Sequence, residues 1–228
     1  MDELPAHLRF AVSAGAYVLA YAVGLALFVW AARRRGMDDR DVRAVAVAAL
    51  LGGLVGAYIV QLAVSGEPGG KTVLGGVAGG WLAAIAAKRS VGLRRPLGDL
   101  FAYAIAGGEA VGRIGCFFAG CCYGKVAHVA WAVHDHGAPR HPTQLYSAFA
   151  ALATLALVAW LDRRRMLPEN GIFYTQGAVF CALRFVVEFY REVPSYGGFT
   201  LAQYACMGGF VFFAWRLRAL LRPRAVPA

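Results

Sequence analysis

The run GRIGCFFAGCCYG, Gly112 to Gly124, closes an otherwise apolar segment with one arginine and three cysteines. An ionisable side chain inside a membrane-spanning segment costs about 2.5–3.5 kcal/mol to insert even on the mildest scales, so it marks a functional site. Two later apolar segments carry polar runs at the same depth, RHPTQLY at 140–146 and RFVVEFYRE at 184–192. The three runs together predict one site at the ends of membrane-spanning helices.

Composition places the chain among integral membrane proteins. Of 228 residues, 59% are hydrophobic and only 16% are charged, and the mean hydropathy is +0.54. Apolar runs of about 20 residues recur along the chain, which is the length of a membrane-spanning helix. We predict an all-α integral membrane protein with seven transmembrane helices in a single transmembrane domain over residues 1–228. The predicted spans are Phe10–Ala32, Ala44–Val64, Thr72–Ala87, Leu97–Gly120, Thr143–Leu161, Gly171–Tyr190 and Phe199–Leu221.

The third predicted span is short and rich in glycine. Glycine lets helix backbones approach closely, but it also weakens a helix. The sequence therefore leaves three descriptions of this span open: a tilted helix, a broken helix, or a helix packed tightly against its neighbours.

Basic residues fix the predicted orientation. Four clusters hold 16 of the 23 Lys and Arg residues, and all four fall on one side of a seven-span chain. Because cytoplasmic loops carry the excess of positive charge, we expect the N-terminus outside and the C-terminus in the cytoplasm. The formal charge of +10 is then explained by topology and anionic headgroups, so no nucleic-acid partner is expected. The clusters lie at 33–43, 88–95, 163–165 and 216–224.

This topology places the candidate site on the outer side of the membrane. The fourth and sixth spans both run outward, and residues 123–142 form the external loop that follows the fourth span. Polar residues on each span are spaced i, i+4, i+7 and therefore share one helical face. The two faces comprise Glu109, Arg113 and Cys116 on the fourth span, and Arg184, Glu188 and Arg191 on the sixth.

Two interpretations are open for these charges. The Glu109–Arg113 and Arg184–Glu188 pairs can be structural ion pairs that hold helices together. Alternatively, the two arginines at matching depth recognise phosphate, because a guanidinium group stays charged and donates two parallel hydrogen bonds. The second interpretation predicts an anionic lipid headgroup as ligand.

The order of motifs resembles the prolipoprotein diacylglyceryl transferase family over nearly the whole chain. The motifs are Tyr17-x-x-x-Tyr21 in the first span, the glycine-rich third span, GR-x-G-x-F, RHP-T-QLY and RF-x-x-EF-x-R. The resemblance implies a multi-pass protein of the bacterial plasma (inner) membrane with its active site toward the extracytoplasmic side. It also implies phosphatidylglycerol–prolipoprotein diacylglyceryl transferase activity without a cofactor or a metal.

In that reaction the diacylglyceryl group moves from phosphatidylglycerol, or a similar anionic phospholipid, to a thiol acceptor. The implied acceptor is the cysteine of a lipobox-containing preprolipoprotein, and glycerol phosphate is released. Arg113 and Arg184 match the two essential arginines of the family, and the resemblance gives them the phosphate. Glu188 and Arg191 match its supporting ion network, and Gly124 the glycine that closes its signature.

We expect two groups of site residues. The expected catalytic residues are Arg113, Arg184, Cys116, Cys121, Cys122 and His141. The expected substrate-binding residues are Tyr17, Tyr21, Gly112, Gly124, Gln144, Tyr146, Glu188 and Arg191.

The chain departs from the family signature GR-x-G-N-F-x-N-x-E-x-x-G at three positions. Cys116 and Ala119 replace its two asparagines, and Cys121 replaces its glutamate. Elsewhere, Leu74 stands for the histidine of a third-span His-Gly-Gly, and Ser147 for the glutamate after QLY. The chain thus keeps the arginines but replaces hydrogen-bonding and proton-accepting groups, largely with thiols.

Three roles are open to Cys116, Cys121 and Cys122. Two of them can form a disulfide in an oxidising compartment. One of them can act as a thiolate nucleophile beside Arg113. The three can also bind a metal together with His141, although their spacing differs from ordinary zinc patterns. The alternative functions are therefore a membrane thiol-redox or metal-dependent enzyme on the same fold, or a non-catalytic lipid-binding protein.

Overall fold

The computed structural model describes residues 5–66 and 72–222, and in these ranges it contains seven α-helices and one β-hairpin. Among the described residues, four helices (α1, α2, α5 and α7) are long and apolar enough to cross a membrane. This confirms a helical membrane protein, while the count of seven spans and the orientation stay predictions. The elements are α1 Ala6–Arg34, α2 Arg40–Ser65, α3 Val73–Ser90, α4 Gly98–Ala119, β1 Val133–Asp135, β2 Ala138–Arg140, α5 Thr143–Arg163, α6 Gly171–Glu188 and α7 Leu201–Leu221.

Helix ends differ from the predicted spans where capping side chains set them. Helix α7 begins at Leu201 rather than Phe199 because Thr200 forms a capping box with Gln203. The Thr200 hydroxyl accepts from the backbone N–H of Gln203 at 3.2 Å, and the Gln203 side chain accepts from the N–H of Thr200 at 2.9 Å. Such reciprocal bonds satisfy two amides that the first helical turn leaves unpaired, so the helix starts after them.

The chain forms two compact units. One unit runs from Leu25 to Pro96, and the other combines the residues up to Gly24 with those from Leu97 onward. In the first of these units, glycines bring α2 and α3 together. A Cβ atom on Gly79 would lie 2.9 Å from the Gly56 Cα, and one on Gly80 would lie 3.1 Å from the Ala49 carbonyl oxygen. Of the three descriptions of the third span, tight packing is therefore the one observed. The Leu74 side chain lies outside the described set.

In the other unit, α4, α5 and α6 are fixed at one end by polar contacts. The buried Asp99 carboxylate accepts from the backbone N–H groups of Asn170 and Phe173, both at 3.0 Å, and so caps the start of α6. The Tyr103 hydroxyl donates to Asp162 at 2.8 Å and ties α4 to the end of α5. Because α4 and α6 begin side by side, their C-terminal ends emerge together at the other end of the unit.

A short β-hairpin occupies the predicted loop 123–142, and the all-α prediction did not include it. Strand β1 pairs antiparallel with β2. The turn residues His136 and Gly137 have φ values of 52° and 72°, the left-handed pair that a two-residue type I′ turn requires. An isolated antiparallel bridge also joins Gly124 to Arg191, next to the end of α6. The loop is therefore joined to the chain that follows α6, where the Lys125 N–H also donates to the Tyr190 carbonyl at 2.8 Å.

Candidate active site

Three thiols gather at the C-terminal end of α4. The sulfur atoms of Cys116, Cys121 and Cys122 lie within 4.8 Å of one another, and all three cysteines are free. Gly120, with φ of 65°, ends the helix in a Schellman motif. The N–H of Cys121 donates to the Cys116 carbonyl at 3.2 Å, and the N–H of Gly120 donates to that of Phe117 at 3.2 Å. This chain reversal brings together cysteines that are five residues apart.

The start of α5 holds the two cysteines that follow the helix. The Thr143 hydroxyl donates to the Cys122 carbonyl at 2.7 Å, and the Gln144 amide donates to the Cys121 carbonyl at 2.8 Å. Cys122 has φ of 60°, a left-handed conformation that costs a residue with a Cβ about 1–2 kcal/mol. The two side-chain donors therefore maintain a backbone conformation that Cys122 would not adopt freely. Gln144 positions the thiols in this structure, and its contact with substrate stays a prediction.

Cys121 and Cys122 have opposite tendencies to ionise. The thiol of Cys116 and then that of Cys122 raise the pKa of Cys121 through side-chain hydrogen bonds. Hydrogen bonds from the thiols of Cys116 and Cys121 lower the pKa of Cys122, and the positive charges of Arg191 and Arg113 lower it further. Because hydrogen bonds and nearby cations stabilise a thiolate, the first proton lost by the cluster comes from Cys122.

One turn before Cys116, α4 carries the first ion pair of the site. The Arg113 guanidinium donates to Glu109 Oε1 from Nη2 at 3.0 Å and from Nε at 3.1 Å. Both side chains are mostly buried, with 14% and 16% of their surface exposed. The predicted i, i+4 pair on this face is therefore present, and it leaves Arg113 next to the thiols.

Glu188 is the centre of the second charged group. Its carboxylate pairs with Arg184 at 2.6 Å and with Arg191 at 3.1 Å, and it accepts from the Thr200 hydroxyl at 3.2 Å. Glu188 is only 3% exposed. Two guanidinium groups thus share one buried carboxylate, which leaves a surplus of positive charge at the end of α6.

Two donors of this group lack partners among the described residues. Arg184 Nη1 and Arg191 Nε are buried and have no hydrogen-bond acceptor there. Leaving a buried donor unsatisfied costs about 1–3 kcal/mol, more when it is charged. An anion with several oxygen atoms, such as a phosphodiester, would satisfy both donors and balance the surplus charge.

A pocket lies between α4, α5 and α6 and reaches both charged groups. Glu109 and Arg184 both line it, which places the two ion pairs beside one space. The other polar residues of its wall are Ser147, Thr154 and Gln176, and its apolar residues are Ala106, Ala150, Ala151, Phe180, Leu183 and Val187. A mostly apolar pocket with a few charged groups suits an amphipathic ligand.

A protein-family model, Prolipoprotein diacylglyceryl transferase, matches residues 6–218. The chain belongs to this family. A phosphatidylglycerol–prolipoprotein diacylglyceryl transferase of Geobacter sulfurreducens is 32% identical, over 94% of this chain and 90% of that protein. Proteins of the same name from Campylobacter jejuni (32% identical) and Methylococcus capsulatus (35% identical) match 54% and 57% of this chain, and 45% and 53% of their own lengths.

The first-span tyrosines of this prolipoprotein diacylglyceryl transferase family member have different surroundings. The Tyr17 hydroxyl donates to Cys116 Sγ at 3.4 Å, so it joins the thiol cluster. Gly115 permits this approach, because a Cβ there would lie 3.2 Å from the Tyr17 ring. Tyr21 is 39% exposed, and the structure gives its hydroxyl no hydrogen bond among the described residues. Its predicted binding role stays a prediction.

His141 contacts aromatic residues rather than the thiols. Its Nδ1 lies 2.9 Å from the Tyr146 hydroxyl, which also accepts from Trp131 Nε1 at 2.7 Å. Its ring packs edge-on against Tyr190 with centroids 5.1 Å apart. Among the described residues, the group of possible metal-binding atoms at this site contains the three thiols and no histidine. The structure therefore brings His141 and Tyr146 together beside the site but not into the thiol cluster.

The two predicted glycines differ in how strictly they are needed. A Cβ on Gly124 would lie 2.7 Å from the His141 Cβ and 2.8 Å from the Tyr190 carbonyl oxygen. The backbone N–H of Gly124 also donates to the His141 carbonyl at 3.2 Å. A Cβ on Gly112 would make only an ordinary contact of 3.6 Å with Ala20. A side chain at Gly124 would therefore prevent the close contact of three chain segments. At Gly112 there is room for a Cβ atom, so steric crowding does not explain the glycine there.

Sequence reasoning did not assign roles to Thr143 and Thr200. Thr143 holds the Cys122 carbonyl, and Thr200 holds Glu188. The Thr-x-x-Gln spacing of Thr200 and Gln203 is a capping-box signal that would have located the start of α7. The sequence has no comparable signal for the contact of Thr143 with a carbonyl 21 residues away.

Proposed function

We propose that this protein transfers the diacylglyceryl group of phosphatidylglycerol to the thiol of a prolipoprotein cysteine. The observation that carries the proposal is the buried surplus of positive charge at Arg184 and Arg191, whose unpaired donors suit a phosphodiester. The names of the relatives state this reaction for those proteins, and membership of the family supports it here.

The reaction is a displacement at a carbon atom. The acceptor thiol loses its proton to solvent, and its sulfur attacks the glyceryl carbon that carries the phosphate oxygen. A C–S bond forms while the C–O bond breaks, and the electron pair leaves with glycerol phosphate. Arg184 and Arg191 offer their free donors to the developing negative charge, and Arg113 adds a third guanidinium near the thiols. The pocket walls would align the glycerol carbon with the acceptor.

We also propose that residues 1–228 form one seven-span transmembrane domain with the site on the extracytoplasmic side. The basic bias to one side supports this orientation. A cysteine probe in the loop at Gly137 should react with an impermeant maleimide in intact cells. A probe at Arg164 should react only after the membrane is opened, and the reverse pattern would overturn the orientation.

Purified protein incubated with labelled phosphatidylglycerol and a lipobox peptide tests the reaction. We expect a thioether-linked diacylglyceryl peptide and released glycerol phosphate, both measured by mass spectrometry. A peptide with serine in place of the lipobox cysteine is the matched control and should give no product. Binding of phosphatidylglycerol without either product would favour a lipid-binding protein instead.

A further inference from the structure

We propose that Cys116, Cys121 and Cys122 form a three-thiolate binding site for a Zn²⁺ ion, and that the open fourth position of the ion binds the acceptor thiol. Binding of the acceptor thiol to the ion rests on the proposed function. The Zn²⁺ site itself depends only on the three cysteine side chains.

The number and the distances of the thiols fit a metal better than a disulfide. Thiolates are the ligands that select Zn²⁺ and Cu⁺. Zn–S bonds of about 2.3 Å in a tetrahedron place neighbouring sulfur atoms about 3.8 Å apart. The observed separations of at most 4.8 Å need only small side-chain movements to reach that value. A disulfide would join two of the sulfur atoms and leave the third aside, and a bridge between the adjacent Cys121 and Cys122 would be strained.

The backbone holds the three cysteines in place without help from an ion. Cys116 and Cys121 are joined by the Schellman hydrogen bond, and the Cys121 and Cys122 carbonyls accept from Gln144 and Thr143. Cys122 is kept in a left-handed conformation that is uncommon for residues other than glycine, asparagine and aspartate. Strained backbone of this kind is concentrated at functional sites, where surrounding contacts maintain it. Convergent thiols on a fixed backbone are what a metal site needs.

The surroundings of the cluster supply a second shell. The Tyr17 hydroxyl lies 3.4 Å from Cys116 Sγ and can donate to that sulfur when it is a thiolate. Hydrogen bonds of this kind orient metal ligands and tune their basicity. Arg113, one helical turn before Cys116, offsets the net negative charge that three thiolates and Zn²⁺ would carry.

A three-ligand zinc site leaves one coordination position open. An acceptor thiol that binds there loses its proton to solvent and stays a thiolate at neutral pH, because a coordinating thiol is deprotonated outright. Its sulfur then forms the bond to the glyceryl carbon as the phosphate oxygen leaves. This would supply thiol activation at Cys116 and Cys121, where the family signature has asparagine and glutamate.

Cobalt substitution of the purified full-length protein tests the metal site directly. We expect about one Zn²⁺ per chain by elemental analysis and, in the Co²⁺ form, sulfur-to-cobalt charge-transfer bands in the near ultraviolet. These bands should be lost in Cys116→Ser, Cys121→Ser and Cys122→Ser. Cys181→Ser on α6 and Cys206→Ser on α7 change free cysteines outside the cluster, so these matched controls should keep the bands. Absence of stoichiometric metal, or bands that persist in all three cluster variants, would overturn the site.

Two further measurements keep the test decisive. If the serine variants do not fold, X-ray absorption of the wild-type zinc form should show three sulfur atoms at about 2.3 Å, and a shell of nitrogen and oxygen alone would refute the proposal. Alkylation followed by peptide mass spectrometry should recover all three thiols after chelation. Recovery of only one would show a disulfide and would also refute it.

The fourth position is tested without lipid. Adding the lipobox peptide to the Co²⁺ protein should shift the charge-transfer bands, and the serine control peptide should not. An unchanged spectrum, or full transfer activity in chelated protein, would overturn acceptor binding while the proposed function stands. A spectral shift without any transfer from phosphatidylglycerol would instead overturn the proposed function and leave the metal site in place.

Discussion

Replacing Arg184 with lysine separates its charge from its second hydrogen-bonding arm. Arg184 uses Nη2 for Glu188 at 2.6 Å, and its Nη1 is buried without an acceptor among the described residues. A lysine ammonium can keep the ion pair with Glu188, but it has no planar second arm to give to a phosphate oxygen. One hydrogen bond from a charged donor contributes about 1.5–3 kcal/mol. We therefore expect kcat/KM to fall about 10- to 150-fold, since 1.36 kcal/mol is a factor of ten.

The assay is the transfer of diacylglycerol to the lipobox peptide at several phosphatidylglycerol concentrations. Arg216→Lys is the control, because Arg216 is on α7 and its contacts among the described residues are with the Tyr174 hydroxyl and the rings of Tyr174 and Trp215. Thermal unfolding in detergent shows whether the variant is folded. A folded Arg184→Lys protein with wild-type kcat/KM would refute the assignment of Nη1 to the phosphate.

Three other predictions follow from the same contacts. Glu188→Gln removes the carboxylate shared by two buried guanidinium groups and should lower the free energy of unfolding by about 3–5 kcal/mol; an unchanged unfolding midpoint would contradict this. Gly124→Ala should destabilise the protein by about 1–3 kcal/mol in the same assay, whereas Gly15→Ala, with open space around it, should not; equal effects would exclude the steric explanation. In chelated protein, iodoacetamide should alkylate Cys122 at a rate that rises little from pH 7 to pH 9, because the lowered pKa of Cys122 already makes it a thiolate. The alkylation rate of Cys121, whose pKa is raised, should increase over the same range. The rates are measured by peptide mass spectrometry, and the opposite order would reverse the two assignments.

The charged faces of the site were predictable because they depend on local helical geometry. The spacing of Arg184, Glu188 and Arg191 places them on one face of any helix, and the structure joins all three. Glu109 and Arg113 were predictable for the same reason. The hydrogen bond from Thr200 to Glu188 was not predictable, because Thr200 lies at the start of another helix.

The thiol cluster was only partly predictable. Gly120 is an ordinary helix stop signal, and it allows Cys121 to turn back toward Cys116. The left-handed conformation of Cys122 has no signal in the neighbouring sequence. It depends on Thr143 and Gln144, whose side chains bind carbonyl groups 21 and 23 residues earlier. The sequence spacing therefore indicates that the thiols can lie close together. The hydrogen bonds from Thr143 and Gln144 that hold them there join distant parts of the chain and could not be predicted.

The glycine contacts between α2 and α3 have a consequence for any saturation-mutagenesis experiment on this protein. Here the atoms that touch belong largely to the main chain, so a bulkier residue has no neighbouring rotamer to displace. Every substitution at Gly56 or Gly79 should be depleted to a similar degree, whatever its polarity or charge. At Arg184 the depletion should instead depend on chemistry, with lysine tolerated for folding and selected against for transfer. The shape of the substitution profile would thus separate positions that serve the scaffold from positions that serve the reaction.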